Sequence, residues 1–213
     1  MKRPYELLGV KVVGGLEEAS TLWAGASLLV ELFHRSGVDA VANKVLPAKR
    51  SAKGLKQGRQ TVESFVLLSA LGGECIDYMQ HLRDDVGLSS VLGYQAPASE
   101  TARQWLDRFH DEEWIAGQPH QGLLLPAESK PLAGLKEVRQ RVMRAYVEAV
   151  HPEWDLTLDV DAQFIETTKS DAKYCYAGYK AFQAMEVSWA ETMLVLADEF
   201  REGNIPPPGM LAE

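Results

Sequence analysis

Two aspartates separated by a single residue, in Asp155-Leu-Thr-Leu-Asp159-Val-Asp161-Ala-Gln-Phe164, are the side chains of this sequence best placed to do chemistry. Leu156, Leu158 and Val160 alternate with Thr157, Asp159 and Asp161, which is the period of a half-buried strand. Residues two apart on a strand share a face, so Asp159 and Asp161 project together while Val160 is expected to enter the core. A rise of ~3.3 Å per residue puts their backbones roughly 7 Å apart. Carboxylates at that spacing repel one another or share a divalent cation. Mg2+ and Mn2+ take oxygen ligands and bridge protein carboxylates to phosphate oxygens. A pair of such ions activates one oxygen and stabilises the leaving one in phosphoryl transfer. The other reading is a solvent-facing strand whose acids do nothing. Aspartate is disfavoured in strands, but spacing alone leaves both readings open.

The second set of candidates is basic. Lys44, Lys49, Arg50, Lys53, Lys56 and Arg59 form a run with no acid inside it. The net charge is −8, yet residues 1–60 hold ten Lys and Arg against five Asp and Glu, and the remainder twelve against twenty-five. The basic run can neutralise several phosphates through counterion release; a solvated loop is the plainer reading. The later acidic excess fits a protein that collects divalent cations better than one that coats DNA over its whole surface.

The basic residues fall in a part of the chain that reads mostly helical, with the run itself on a loop. Apolar residues at Leu22, Ala26, Leu29, Leu32 and Phe33 mark a helix within Leu16 to Arg35, stopped by Ser36-Gly37. Gly37 to Gln60 reads as a loop with at most one short helix. Thr61 caps a helix from Val62 to about Leu71, and Glu74 to about Arg83 is another, with Ile76, Met79 and Leu82 inward. Val86 to Leu92, a break at Gly93 to Pro97, and a helix capped by Ser99 running to His110 have a helix-turn-helix outline. Arg103 and Arg108 lie on that last helix beside a stripe of Trp105, Leu106 and Phe109. Packing within a helical bundle explains such a pair equally well. Ala116 to Pro131 is the best linker, and Leu132 to Val150 a further helix. After Pro152 the period becomes alternating, with later strands from about Tyr179 to Trp189 and Met193 to Phe200. Short links between three consecutive strands favour an antiparallel meander. The expected fold class is therefore α+β, helices first and strands second.

Other chemistries find little support. Cys75 and Cys175 show no paired spacing and are expected as buried thiols, and the five histidines have no metal-ligand spacing. No apolar run approaches the ~20 residues of a membrane span. The N-terminus lacks a signal-peptide core, so no membrane partner and a cytoplasmic location are expected.

Several segments together resemble the bacterial insertion-sequence transposases of the DDE type, whose catalytic domain is ribonuclease-H-like. They are Leu-Asp159-Val-Asp161-Ala, Tyr176-Ala-Gly-Tyr179-Lys180 and Leu196-Ala-Asp-Glu-Phe200-Arg201-Glu-Gly203-Asn204. In the helical part they are Glu31-Leu-Phe-His-Arg35, Val62 to Cys75, and Ser99 to His110. The resemblance extends from about Gly14 to Pro206.

The resemblance implies a helical, DNA-binding region over 1–118, a linker and helix over 119–152, and the start of a ribonuclease-H-like domain over 153–213. It implies Asp161 as the first catalytic acid and metal ligand, Asp159 as its neighbour at the metal, and Mg2+ or Mn2+ as cofactor. Lys180, with Tyr179, sits where the second strand begins and takes a phosphate or scaffold role. Double-stranded DNA at transposon terminal repeats is the implied partner, contacted through the basic run, Arg103, Arg108 and Lys180. Homo-oligomerisation is compatible with it. Gln163 stands where the family usually has Thr, and Ala184 where Pro is frequent. The family's second Asp and its Glu lie further along than Glu213, so the expected domain is incomplete, with its first three strands and no full catalytic set. A non-catalytic DNA-binding inhibitor and a degraded remnant are the alternatives.

Overall fold

Backbone hydrogen bonding and the burial of apolar stripes divide the chain into seven α-helices, two short hairpins and one larger sheet among the described residues. The computed structural model describes residues 6–7, 10–11, 20–51, 54–56, 58–110, 113, 117, 129–151, 156–170 and 172–205. β1 (Glu6–Leu7) and β2 (Val10–Lys11) form a small antiparallel hairpin.

α1 (Ala26–Arg35) buries Ala26, Val30 and Phe33, spaced to fall on one face. The expected stripe was rotated: Leu22 lies before the helix and is exposed, as is Leu32, while Leu29 packs at the core's edge. Gly37, at φ +73°, takes the left-handed conformation that favours glycine and ends the helix as expected. The next stretch, read as a loop with at most one short helix, holds one such helix and a short hairpin besides. α2 (Val38–Val45) buries Val38 and Ala42, and Leu46 follows at the same interval. β3 (Lys49–Ser51) and β4 (Gly54–Lys56) then pair as an antiparallel hairpin.

α3 (Gly58–Ala70) starts before Thr61, which is buried inside the helix and does not cap it. The helix expected from Glu74 is a 3-10 turn, Ile76–Tyr78, leading into α4 (Met79–Asp84). α5 (Val86–Leu92) has the expected bounds. Asp85 caps it by accepting from Leu88 N at 2.7 Å, and Gly93 closes it at φ +69°. α6 (Ser99–Leu106) continues into a 3-10 turn, Asp107–Phe109. Ala98, not Ser99, occupies the cap; Ser99 Oγ donates to the Asp77 carbonyl instead. α7 spans Lys130–Val150.

These helices enclose two apolar clusters that share Phe65. One gathers Ala26, Val30, Leu67, Leu68, Met79, Leu82 and Leu88; the other gathers Phe33, Val38, Ala42, Leu46, Trp105 and Val138. The chain separates into two compact units, Met1–Glu112 with Glu128–Ala145, and Glu113–Ala127 with Tyr146–Glu213. Most of the expected linker falls outside the described residues, and most of α7 belongs to the first unit.

The second unit carries a four-stranded antiparallel sheet of β5 (Leu158–Glu166), β6 (Lys173–Tyr174), β7 (Lys180–Trp189) and β8 (Leu194–Glu202). β7 is central: β5 lies on one side, and β6 and β8 pair with it in succession along the other. One face of β7 is packed through Ala181, Gln183 and Met185, all buried. The fold is α+β, helices preceding a C-terminal antiparallel sheet, and the strand of Asp161 runs antiparallel to β7, with which it pairs.

Candidate functional site

Asp159 and Asp161 both lie on β5 and are exposed, with their side chains on one face by strand alternation. The register adds a residue that local sequence cannot supply. Asp161 is the cross-strand partner of Glu186 on β7, and Glu186 is in turn the partner of Asp198 on β8. Partners in an antiparallel ladder share a face with Cβ atoms about 4.5–5.5 Å apart. Three carboxyls therefore cross the sheet in one row, and Asp159 lies beside them opposite Ser188. Glu186 and Asp198 were missed because pairing register is set by strands far apart in sequence.

One oxygen of Asp161 is already engaged, accepting from the adjacent Ala162 N–H at 2.8 Å. A divalent cation on this face would have Asp161 and Asp159 as its first candidate ligands, with Glu186 the cross-strand partner of Asp161. Among the described residues no group of three or more His, Cys, Asp or Glu side chains is arranged to hold a metal ion. Val160 does not enter a core: it is 42% exposed. It pairs with Val187 near the far end of β7, past the buried stretch at Ala181 to Met185, and β5 is paired on one side only among the described residues.

Lys180 begins β7, and its Nζ donates to the carbonyls of Lys169 at 3.4 Å and Ser170 at 3.2 Å. It fastens the connection from β5, which is a scaffold role. The turn before it is closed by Gly178 at φ +88°. Tyr179 and Tyr176 both stand edge-on to Phe164, and Cys175 is buried beside them in sequence. Cys175 is thus the buried free thiol expected; Cys75 is free but exposed, on the turn before α4.

The basic residues fall into three groups in the first unit. Lys44 is exposed in the last turn of α2. Lys49 and Lys56 are cross-strand partners on the β3–β4 hairpin, Arg50 pairs with Leu55, and Lys53 lies outside the described residues. Arg59, Arg103 and Arg108 are engaged within the protein. Arg59 pairs with Asp39 at 3.5 Å, Arg103 with Asp77 at 2.6 Å, and Arg108 Nη1 donates to the Ala48 carbonyl at 3.0 Å. On α6, Ala102 and Trp105 are buried, but Leu106 is largely exposed, so the apolar stripe is narrower than expected.

A buried polar cluster in this unit gave no sign in the sequence. Glu63, 2% exposed on α3, lies with Oε1 3.0 Å from His34 Nε2 and accepts from Tyr94 Oη on Oε2 at 3.0 Å. Burial raises the Glu63 pKa above its ordinary value, although Tyr94, His34 and Arg59 oppose that shift. Tyr94 is also pushed up, by burial first and by the Glu63 charge second. A shallow cavity of about 330 Å³ opens in the same unit, lined by Trp23, Leu71, Tyr78 and His81.

Compared with protein-family models, curated proteins and solved structures, the chain matches none. No helix among the described residues is long and apolar enough to cross a membrane.

Proposed function

We propose that this chain is part of a DDE-type insertion-sequence transposase: a helical DNA-binding unit joined to the opening of a ribonuclease-H-like catalytic domain. The observation that carries this reading is the antiparallel β5–β7–β8 meander, whose first strand bears Asp159 and Asp161 on one exposed face. The Leu-Asp159-Val-Asp161 segment of the resemblance falls on that strand. In this reading Asp161 is a ligand of Mg2+ or Mn2+ and Asp159 assists it. An ion held by Asp161 and Asp159 would supply Lewis-acid chemistry to a scissile phosphate and to an attacking water or hydroxyl. The chain's own residues supply the carboxylates that hold the ion, and the first unit holds double-stranded DNA at the transposon's terminal repeats.

Two carboxylates on β5 are few ligands for Mg2+, which demands near-ideal octahedral geometry. The purified chain should therefore bind Mn2+ weakly in a calorimetric titration, with binding abolished in Asp161→Asn. It should bind terminal-repeat DNA with salt-dependent affinity and leave it uncut. Nicking is expected when the remaining catalytic segment is supplied in trans. Equal Mn2+ affinity in parent and Asp161→Asn would remove Asp161 from the site. DNA binding that no added segment converts to cleavage would favour the non-catalytic reading, which rests on the basic hairpin.

A further inference from the structure

We propose that the β3–β4 hairpin is a basic ribbon that enters a groove of duplex DNA, and that Trp105 and Arg108 position it from below. The proposal rests on the DNA-binding reading above and replaces the α6 recognition helix with a different reading element.

The hairpin has the charge and dimensions for this. No acid occurs between residues 40 and 62, and Lys49, Arg50, Lys53 and Lys56 fall within eight residues. Two strands ~4.8 Å apart fit a major groove about 12 Å wide. Three residues per strand span roughly 10 Å, against a groove depth of about 8.5 Å. The cross-strand pairing of Lys49 with Lys56 puts two cations at the same level of the ribbon.

Both legs of the hairpin are fixed where they leave the helices. On the entering leg, Trp105 Nε1 donates to the Pro47 carbonyl at 2.9 Å and Arg108 Nη1 to the Ala48 carbonyl at 3.0 Å. On the returning leg, Gly58 packs so closely that a Cβ there would come 2.9 Å from the Leu46 Cβ and 3.0 Å from the Pro47 carbonyl. Trp105 is 5% exposed, wedged between Phe65 and Phe109, so it acts on DNA only through the ribbon's base. The same contacts explain why α6 is poorly suited to read bases. Its buried side holds the hairpin, Arg108 is turned to Ala48, and Arg103 is turned to Asp77.

The test is fluorescence anisotropy of the full chain with a random-sequence 30-bp duplex between 50 and 200 mM KCl. Replacing Lys49 and Lys56 together by Gln should lower the log–log salt slope by about 1.8, two contacts at ~0.9 each. Trp105→Phe changes no charge and keeps a ring; it should weaken binding several-fold. Hydrogen exchange of the Lys49–Lys56 amides should rise in that variant and fall when duplex binds the parent. Arg103→Gln should bind as the parent does. A parent that binds alongside a Lys49/Lys56 variant of unchanged slope would overturn the ribbon and leave DNA binding standing. Loss confined to Arg103→Gln would return the role to α6. Tighter binding to single-stranded RNA of equal length would overturn the groove fit. A parent that binds no duplex removes the ribbon together with the reading beneath it.

Discussion

Glu63 illustrates how packing sets the chemistry of one carboxyl. Its folded pKa is raised chiefly by burial, so protonation is favoured in the folded state. The stability this contributes is full below the ordinary value of 4.5 and is lost as pH rises through the folded value. Glu63→Gln keeps an acceptor for Tyr94 and cannot ionise. In urea unfolding between pH 4 and 8, the parent should therefore lose stability relative to this variant as pH rises; a pH-independent difference would show that Glu63 ionises normally. Glu63→Ala, which leaves a void beside Tyr94 and His34, should cost about 2–4 kcal/mol. None of this was legible in Val62-Glu63-Ser64, because the partners His34 and Tyr94 come from segments about thirty residues to either side. Asp159 and Asp161 were legible, since strand alternation is a local rule that assigns both to one face. Their row with Glu186 and Asp198 was not, since register is a property of three strands at once.

Chemical punctuation at both ends of an element made its bounds legible. α5 is bracketed by Asp85 and Gly93, and its bounds matched. α2 was allowed for but given no bounds: the surrounding Lys and Arg gave the stretch a loop's composition, while Val38, Ala42 and Leu46 needed the neighbouring helices to reveal their common burial. The cap of α5 also supplies a measurable quantity. Burial acts against ionisation of Asp85, but hydrogen bonds from Leu88, Thr21 and Leu22 outweigh it and hold its pKa below the usual value. A lowered folded pKa contributes stability above the ordinary value of 3.8, and that stability is lost as pH falls. Asp85→Ala should cost about 0.5–2 kcal/mol at pH 7, visible as a lower Tm, and the difference from the parent should shrink toward pH 3. Asp85→Asn, which can still accept from Leu88 N, should cost less. Equal Tm values for Asp85→Ala and the parent at neutral pH would show that the cap contributes nothing to stability.

At the scale of the molecule, opposite charge is segregated along the chain, cations toward its start and acids through its later part, and that division was legible from composition alone. The antiparallel order of the strands followed from their short connections; the division of the chain at Glu112 and Ala145 did not, because the residues between include those where the period is weakest. One feature of the sheet matters for the protein as a solute. β5 pairs with β7 and, among the described residues, with no other strand, so its outer side offers an open ladder of backbone donors and acceptors. Open edges recruit strands from other molecules, and charged side chains are a common guard against that. Asp159 stands on that edge strand between the exposed apolar residues Leu158 and Val160, and Asp161 follows them. Replacing both acids by Asn should therefore raise the mass measured by light scattering as concentration increases, under conditions where the parent's mass is constant. Constant mass in the double variant would show the edge to be guarded by something other than these two charges. If mass does rise, the pair that serves as the candidate metal ligands also keeps the molecules apart, and its loss would appear first as turbidity.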